Sequence, residues 1–262
     1  MSDVLGQGAF PVRMEWGPTG AASCRADVAV VVDVLSFSAA VTVAVERGTK
    51  VYPCPWGDVR GRALASELGA ALAVGRRDTG LDTEREGEVP APSLSPAALL
   101  EAEPIELLVL PSPNGSAIAA ALADVGSVVV AGCLRNAHAV AVWVGRQLAH
   151  GASAVVLAAG ERWQTDGSLR PALEDHLGAG AILSRLLKGG HGGSFSPEAR
   201  AAAALFDASA GDLDRALRDC VGGRELQVAG FGRDVEVAAT LDASAVVPVL
   251  EEGAFVPWRD GR

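Results

Sequence analysis

A chain of 262 residues, 49% of them apolar, is long enough to bury one substantial core, and no apolar run approaches the roughly 20 residues of a membrane span. The net charge of −10 argues against nucleic acid, whose phosphate backbone is bound by clustered Lys and Arg. An anionic substrate would therefore be held by local devices: a divalent cation, helix N-termini, or one or two Arg. Four isolated cysteines, Cys24, Cys54, Cys133 and Cys220, lack the spacing of a zinc site or a disulfide framework. The opening Met1-Ser2-Asp3-Val4-Leu5-Gly6 has neither the basic segment nor the apolar core of a signal peptide, so the cytoplasm is expected.

In chain order, Val12-Arg13-Met14-Glu15-Trp16 alternates like a strand. Val28-Ala29-Val30-Val31-Val32 is an unbroken, mostly β-branched run, the pattern of a strand buried on both faces of a parallel sheet. It ends on Asp33, followed by Ser36, Ser38 and a helix over 38–47 that stops at Gly48. A strand is expected over 50–54, a helix over 58–69 and a short strand over 71–75. Residues 76–97, rich in Pro, Gly and charge, form a loop long enough to be functional or disordered.

Three more units of the opening type follow, with strands at 105–110, 127–132 and 154–160. Each leads through a polar turn into a helix: Pro111 to Ser116 before 116–123, Cys133 to Asn136 before 137–149, and Glu161-Arg162-Trp163 before 173–187. Alternating strands and helices imply a parallel sheet covered on its faces, with these turns gathered at one carboxyl edge, where ligands of open α/β sheets bind. A Gly-rich connector at 188–194, helices at 197–206 and 212–221, a strand over Val235–Ala238 and a hairpin around Glu251-Glu252-Gly253 complete the reading.

Each polar turn has a plain and a functional reading. Asp33 either caps the helix after it or serves as a Mg²⁺ ligand or base, with Ser36 and Ser38 beside helix N–H groups that could hold phosphate oxygens. Asn114-Gly115-Ser116 is either a turn and cap or an oxyanion cradle, in which Gly115 lets backbone come close to a ligand. Arg135, next to Asn136, stands at a helix start, where its charge opposes the helix dipole unless an anion sits there. Glu161 and Arg162 could pair at the surface or face the ligand. Glu174 and Asp175 either suit the dipole of their helix or form a second carboxylate pole for a divalent ion. His176, beside Asp175, is a further candidate proton donor. Gly178, Ala179, Gly180 and Ala181 would let that helix approach the sheet closely. No GxGxxG follows the first strand, and Walker A, GxSxG and HExxH patterns are absent.

Taken together, several phrases resemble the 2-phosphosulfolactate phosphatase (ComB) family over nearly the whole chain. They are Asp33-Val34-Leu35-Ser36-Phe37-Ser38, Pro113-Asn114-Gly115-Ser116, Asn136-Ala137, Leu173-Glu174-Asp175 with Gly178-Ala179-Gly180, and the ending from Gly223-Arg224 through Gly230-Phe231 and Asp234 to Val247-Pro248-Val249. The resemblance implies a three-layer α/β/α fold with a largely parallel or mixed sheet. It also implies Mg²⁺-dependent hydrolysis of 2-phosphosulfolactate to sulfolactate and phosphate, a step in coenzyme M synthesis.

By position the resemblance points to Asp33, Ser38, Asn114, Gly115, Ser116, Asn136, Glu174 and Asp175. The chain departs from the pattern at Ser36, where Arg is frequent, at Pro113 to Ser116 for Thr-Asn-Gly-Thr, and at Leu94, where Asn is common. Losing an Arg removes a bidentate partner for phosphate or sulfonate, which bears on the substrate. The expectation is a single domain over 1–262, with a smaller C-terminal subdomain from about 195 as a variant. Asp33, Glu174 and Asp175 are expected to serve catalysis and the metal, and Ser36, Ser38, Asn114, Gly115, Ser116, Arg135 and Asn136 to bind a small phosphorylated acid. No nucleic-acid or membrane partner is expected, and a homodimer stays open. The alternative is a non-catalytic binding protein for a phosphorylated metabolite.

Overall fold

The computed structural model describes residues 4–55, 59–75 and 93–259; most of the polar loop expected at 76–97 lies outside them. The chain opens with β1 (Val12–Trp16), α1 (Gly17–Ser23), β2 (Val28–Val32), α2 (Phe37–Glu46), β3 (Lys50–Cys54), α3 (Val59–Leu68) and β4 (Ala71–Leu72). Next come α4 (Pro96–Glu101), β5 (Leu107–Pro111), α5 (Gly115–Asp124), β6 (Val128–Gly132), α6 (Ala137–Ala149) and β7 (Ala154–Ala158). A small hairpin, β8 (Glu161–Arg162) with β9 (Leu169–Arg170), precedes α7 (Leu173–Leu186), α8 (Pro197–Ser209), α9 (Leu213–Asp219), α10 (Val221–Val228) and α11 (Gly232–Ala239). The hairpin β10 (Pro248–Glu251) and β11 (Ala254–Pro257) closes the described chain. No described helix is long and apolar enough to cross a membrane.

The period-2 alternation of β2 explains the layers. Val28, Val30 and Val32 face one core with residues of α6, α7 and α8, whereas Ala29 and Val31 face a second core with residues of α2 and α5. Burial of both faces is what the β-branched run anticipates. Helix α7 reaches β2 closely because Gly178 has no side chain: a Cβ there would stand 2.6 Å from Val34 Cγ2. Gly180 makes the same allowance for α8, where a Cβ would lie 2.3 Å from the Ala202 carbonyl oxygen.

The main sheet has nine strands among the described residues, in the order β1-β7-β2-β6-β10-β11-β3-β5-β4, so it is mixed. β1, β7, β2 and β6 run parallel, and so do β3, β5 and β4. The closing hairpin lies between these blocks, β10 antiparallel to β6 and β11 antiparallel to β3. Two antiparallel strands between them make the blocks run in opposite senses, so the four polar turns do not all follow strands of one direction. The turn after β5 nevertheless meets the turn after β2. Five strand steps separate these two in the sheet, and helix α5 makes the link: it packs against β2, β6 and β3, and its first residue, Gly115, reaches Asp33.

Two further expectations change. Val235–Ala238 belongs to helix α11, not to a strand; its buried residues Asp234, Val235, Ala238 and Ala239 share one helical face. The Gly-rich connector at 188–194 is wound into short helical turns.

Candidate active site

Asp33 leaves β2 as its strand ends and serves two helix N-termini at once. One carboxylate oxygen accepts the Phe37 N–H of α2 at 3.2 Å, and the other accepts the Gly115 N–H of α5 at 3.1 Å. The plain capping reading is therefore realised, and it joins two segments 82 residues apart. Gly115 permits the approach, since a Cβ there would lie 2.3 Å from Phe37 Cδ1 and 2.9 Å from Asp33 Oδ2.

A pocket of about 170 Å³ opens beside this junction, with Asp33, Ser36, Ser112, Asn114 and Glu161 on its polar side. Asn114 donates its side-chain amide to Glu161 at 3.2 Å. Glu161 thus turns toward the site and away from an ion pair with its neighbour, as Arg162 donates to the Gly167 carbonyl. Burial raises the Glu161 pKa, with a smaller push from the charge of Glu174, against hydrogen bonds from the Arg162 N–H and Asn114 and the charge of Arg170.

Glu174 and Asp175 lie close by but do not line this pocket. Asp175, at the start of α7, accepts the Val34 N–H at 2.7 Å and the Gly160 N–H at 2.8 Å, tying together the exits of β2 and β7. Burial, then the charges of Asp33 and Glu174, pushes its carboxyl well above the ordinary range. Glu174 lies against the start of α10, where a Cβ on Gly222 would be 2.2 Å from Oε1. Its charge adds to burial in pushing the Cys220 thiol up to about 12. The four carboxylates form an electrostatically linked series, Asp33, Asp175, Glu174 and Glu161.

Several residues expected to bind substrate spend their side chains on the backbone. Ser38 donates to the Val31 carbonyl and accepts the Asp33 N–H, and Ser116 donates to the Leu110 carbonyl. Asn136 accepts the Cys133 N–H and donates to the Ala131 and Val246 carbonyls. All three are fully buried, so in this conformation they fix the turns and do not reach the pocket. Arg135 is buried too and donates to the Val237 carbonyl near the C-terminus of α11. That helix end attracts the guanidinium charge, while the buried Nε of Arg135 has no hydrogen-bond partner. His176 packs edge-on to Trp16 at 5.3 Å, and burial lowers its pKa. Ser112 has no signal in the sequence beyond its place in the polar turn after β5, and Glu161 stands in another such turn, where surface pairing and ligand contact are both open readings of the sequence.

Among the described residues, no group of three His, Cys, Asp or Glu side chains is arranged to hold a metal ion. Mg²⁺ needs less, taking one or two carboxylates and filling its shell with water and phosphate oxygens. The all-oxygen donor set around Asp33 suits that chemistry.

The protein is thus a three-layer α/β protein that gathers carboxylates and helix-terminal amides around one small pocket. The family model described as 2-phosphosulpholactate phosphatase matches residues 19–253. The chain belongs to the 2-phosphosulpholactate phosphatase family, and with it to the phosphoric monoester hydrolases. It is 32% identical over 241 residues to a probable 2-phosphosulfolactate phosphatase of Deinococcus radiodurans, covering 88% of this chain and 90% of the relative. It is 28% identical over 239 residues to the 2-phosphosulfolactate phosphatase of Methanothermobacter thermautotrophicus, covering 90% of each.

Proposed function

We propose that the protein is a Mg²⁺-dependent phosphatase of a small phosphorylated hydroxy acid, hydrolysing 2-phosphosulfolactate to sulfolactate and phosphate. The observation that carries this reading is the Asp33 carboxylate between the N-termini of α2 and α5 at the mouth of the pocket. Asp33 would hold the cation directly, and Glu174 would add negative charge from behind. When bound, the cation would offset phosphoryl charge and acidify a coordinated water. The hydroxyls of Ser36 and Ser112 would donate to phosphoryl oxygens. Glu161 keeps its proton to higher pH than an ordinary carboxyl, which suits it to protonate the departing alcohol oxygen, and Asn114 fixes its orientation.

The test is phosphate release from 2-phosphosulfolactate. Asp33→Asn and Glu161→Gln are each expected to lower kcat about 100-fold or more, and chelation by EDTA should abolish turnover until Mg²⁺ is restored. Full activity in both variants would remove these carboxylates from the mechanism. Calorimetric binding without phosphate release under any divalent cation would identify a binding protein.

A further inference from the structure

We propose that Arg170 is the second anchor for the substrate: the β8–β9 hairpin sets it directly across from Glu161 at the pocket wall, where its guanidinium takes the carboxylate or sulfonate of the phosphorylated acid. This rests on the phosphatase reading above and names the residue that selects acidic esters. Glu161 and Arg170 are register partners in the hairpin, so their side chains leave the same face with Cβ atoms roughly 4.5–5.5 Å apart. No ion pair joins these two described residues; the guanidinium lies over the ring of Trp163, 5.9 Å from its centre. Its charge still reaches the site, opposing the rise that burial causes in the Glu161 pKa. Leu169, on the opposite face, anchors the hairpin: Cβ atoms on Gly160 and Gly17 would lie 2.7 and 3.0 Å from its Cδ1. Arg162 shares that opposite face as the register partner of Leu169; it is exposed and donates to the Gly167 carbonyl.

2-Phosphosulfolactate carries a carboxylate and a sulfonate besides a phosphoryl group of about −1.5 to −2 charge. A divalent cation at Asp33 offsets the phosphoryl charge and leaves those two acid groups to be met elsewhere. With Glu161 facing the ester oxygen, the carboxylate sits on the carbon that bears this oxygen and the sulfonate one carbon further. Both therefore extend past Glu161 toward the residue across from it. A guanidinium fork matches the oxygens of either group, and stacking on Trp163 keeps it oriented. An acid group left there without a donor would lose water and gain no partner.

The experiment measures kcat/KM for phosphate release from 2-phosphosulfolactate and from isopropyl phosphate, which lacks both acid groups, by the full-length protein with Mg²⁺. If isopropyl phosphate is not cleaved, its reciprocal inhibition constant as a competitor takes the place of its kcat/KM. Arg170→Ala is expected to lower the ratio of the two values about 10–100-fold, the scale of hydrogen bonds to a charged group, with most of the loss in KM. Arg162→Ala, on the same hairpin, should leave the ratio within about fivefold. 2-Phospholactate and the phosphate ester of 2-hydroxyethanesulfonate, with one acid group each, show which group Arg170 holds. An equal loss on both esters in Arg170→Ala overturns the proposal and leaves the phosphatase reading standing. So does a fall in the ratio as large in Arg162→Ala as in Arg170→Ala. Phosphate release from none of the esters overturns the phosphatase reading and the proposal together.

Discussion

Gly222 lies in the first turn of α10, where alanine is intrinsically better by about 1 kcal/mol, and its backbone has no positive φ that would call for glycine. Its use is steric: the space a methyl would fill is taken by the Glu174 carboxylate. Gly222→Ala should gain the helix propensity and lose about 1–3 kcal/mol to overpacking, so a net fall in melting temperature is expected. In a Glu174→Ala background the same change should become neutral or stabilising. Thermal melts of the four proteins of this cycle check the pairing, and identical shifts in both backgrounds would refute it. Nothing next to Gly222 in the sequence marks this position, because the side chain that defines it lies 48 residues earlier. Glu161 has two open readings for the same reason: its neighbour Arg162 suggests an ion pair, whereas its partner Asn114 is 47 residues away.

At the scale of elements, the first turn of α7 works as a clasp. Asp175 accepts backbone N–H groups from the exits of both β2 and β7, and Asp175→Ala should cost roughly 1–3 kcal/mol for each donor left buried and unpaired. Its ionisation opposes folding. With the folded-state pKa raised, the native protein binds the extra proton, so this group's contribution is fully present below the unfolded value near 4 and is lost as pH rises through the folded value. Stability should decline with pH across that window, and Asp175→Asn should flatten the decline; melting temperature against pH reads both. The β2, Asp33, α2 unit was legible because a β-branched run ending in an acid has few alternatives. Helix α11 was not, because Val235 and Val237 satisfy a strand's period of 2 while Val235 and Ala238 satisfy the helical i, i+3 spacing that tertiary burial selects.

For the whole molecule, the last hairpin decides how the two halves of the sheet relate. Phe255 of β11 is fully buried and meets Phe37 edge-on at 6.0 Å, and Phe37 in turn abuts Gly115 at the pocket. Phe255→Ala should cost about 3–5 kcal/mol, a fall of roughly 6–20 °C for a domain of this size. Phosphate release should also drop well below the melting range, since the support for Phe37 is gone; unchanged turnover there would separate the hairpin from the site. Composition and strand spacing predict the layers, but the opposed senses of the two blocks were hidden, because they depend on pairings such as Val249 with Val130 and Phe255 with Val51. Those pairings also cover two strand edges: without residues 248–257, β6 and β3 would each present a row of unpaired backbone N–H and C=O groups, a template for sticking to another chain.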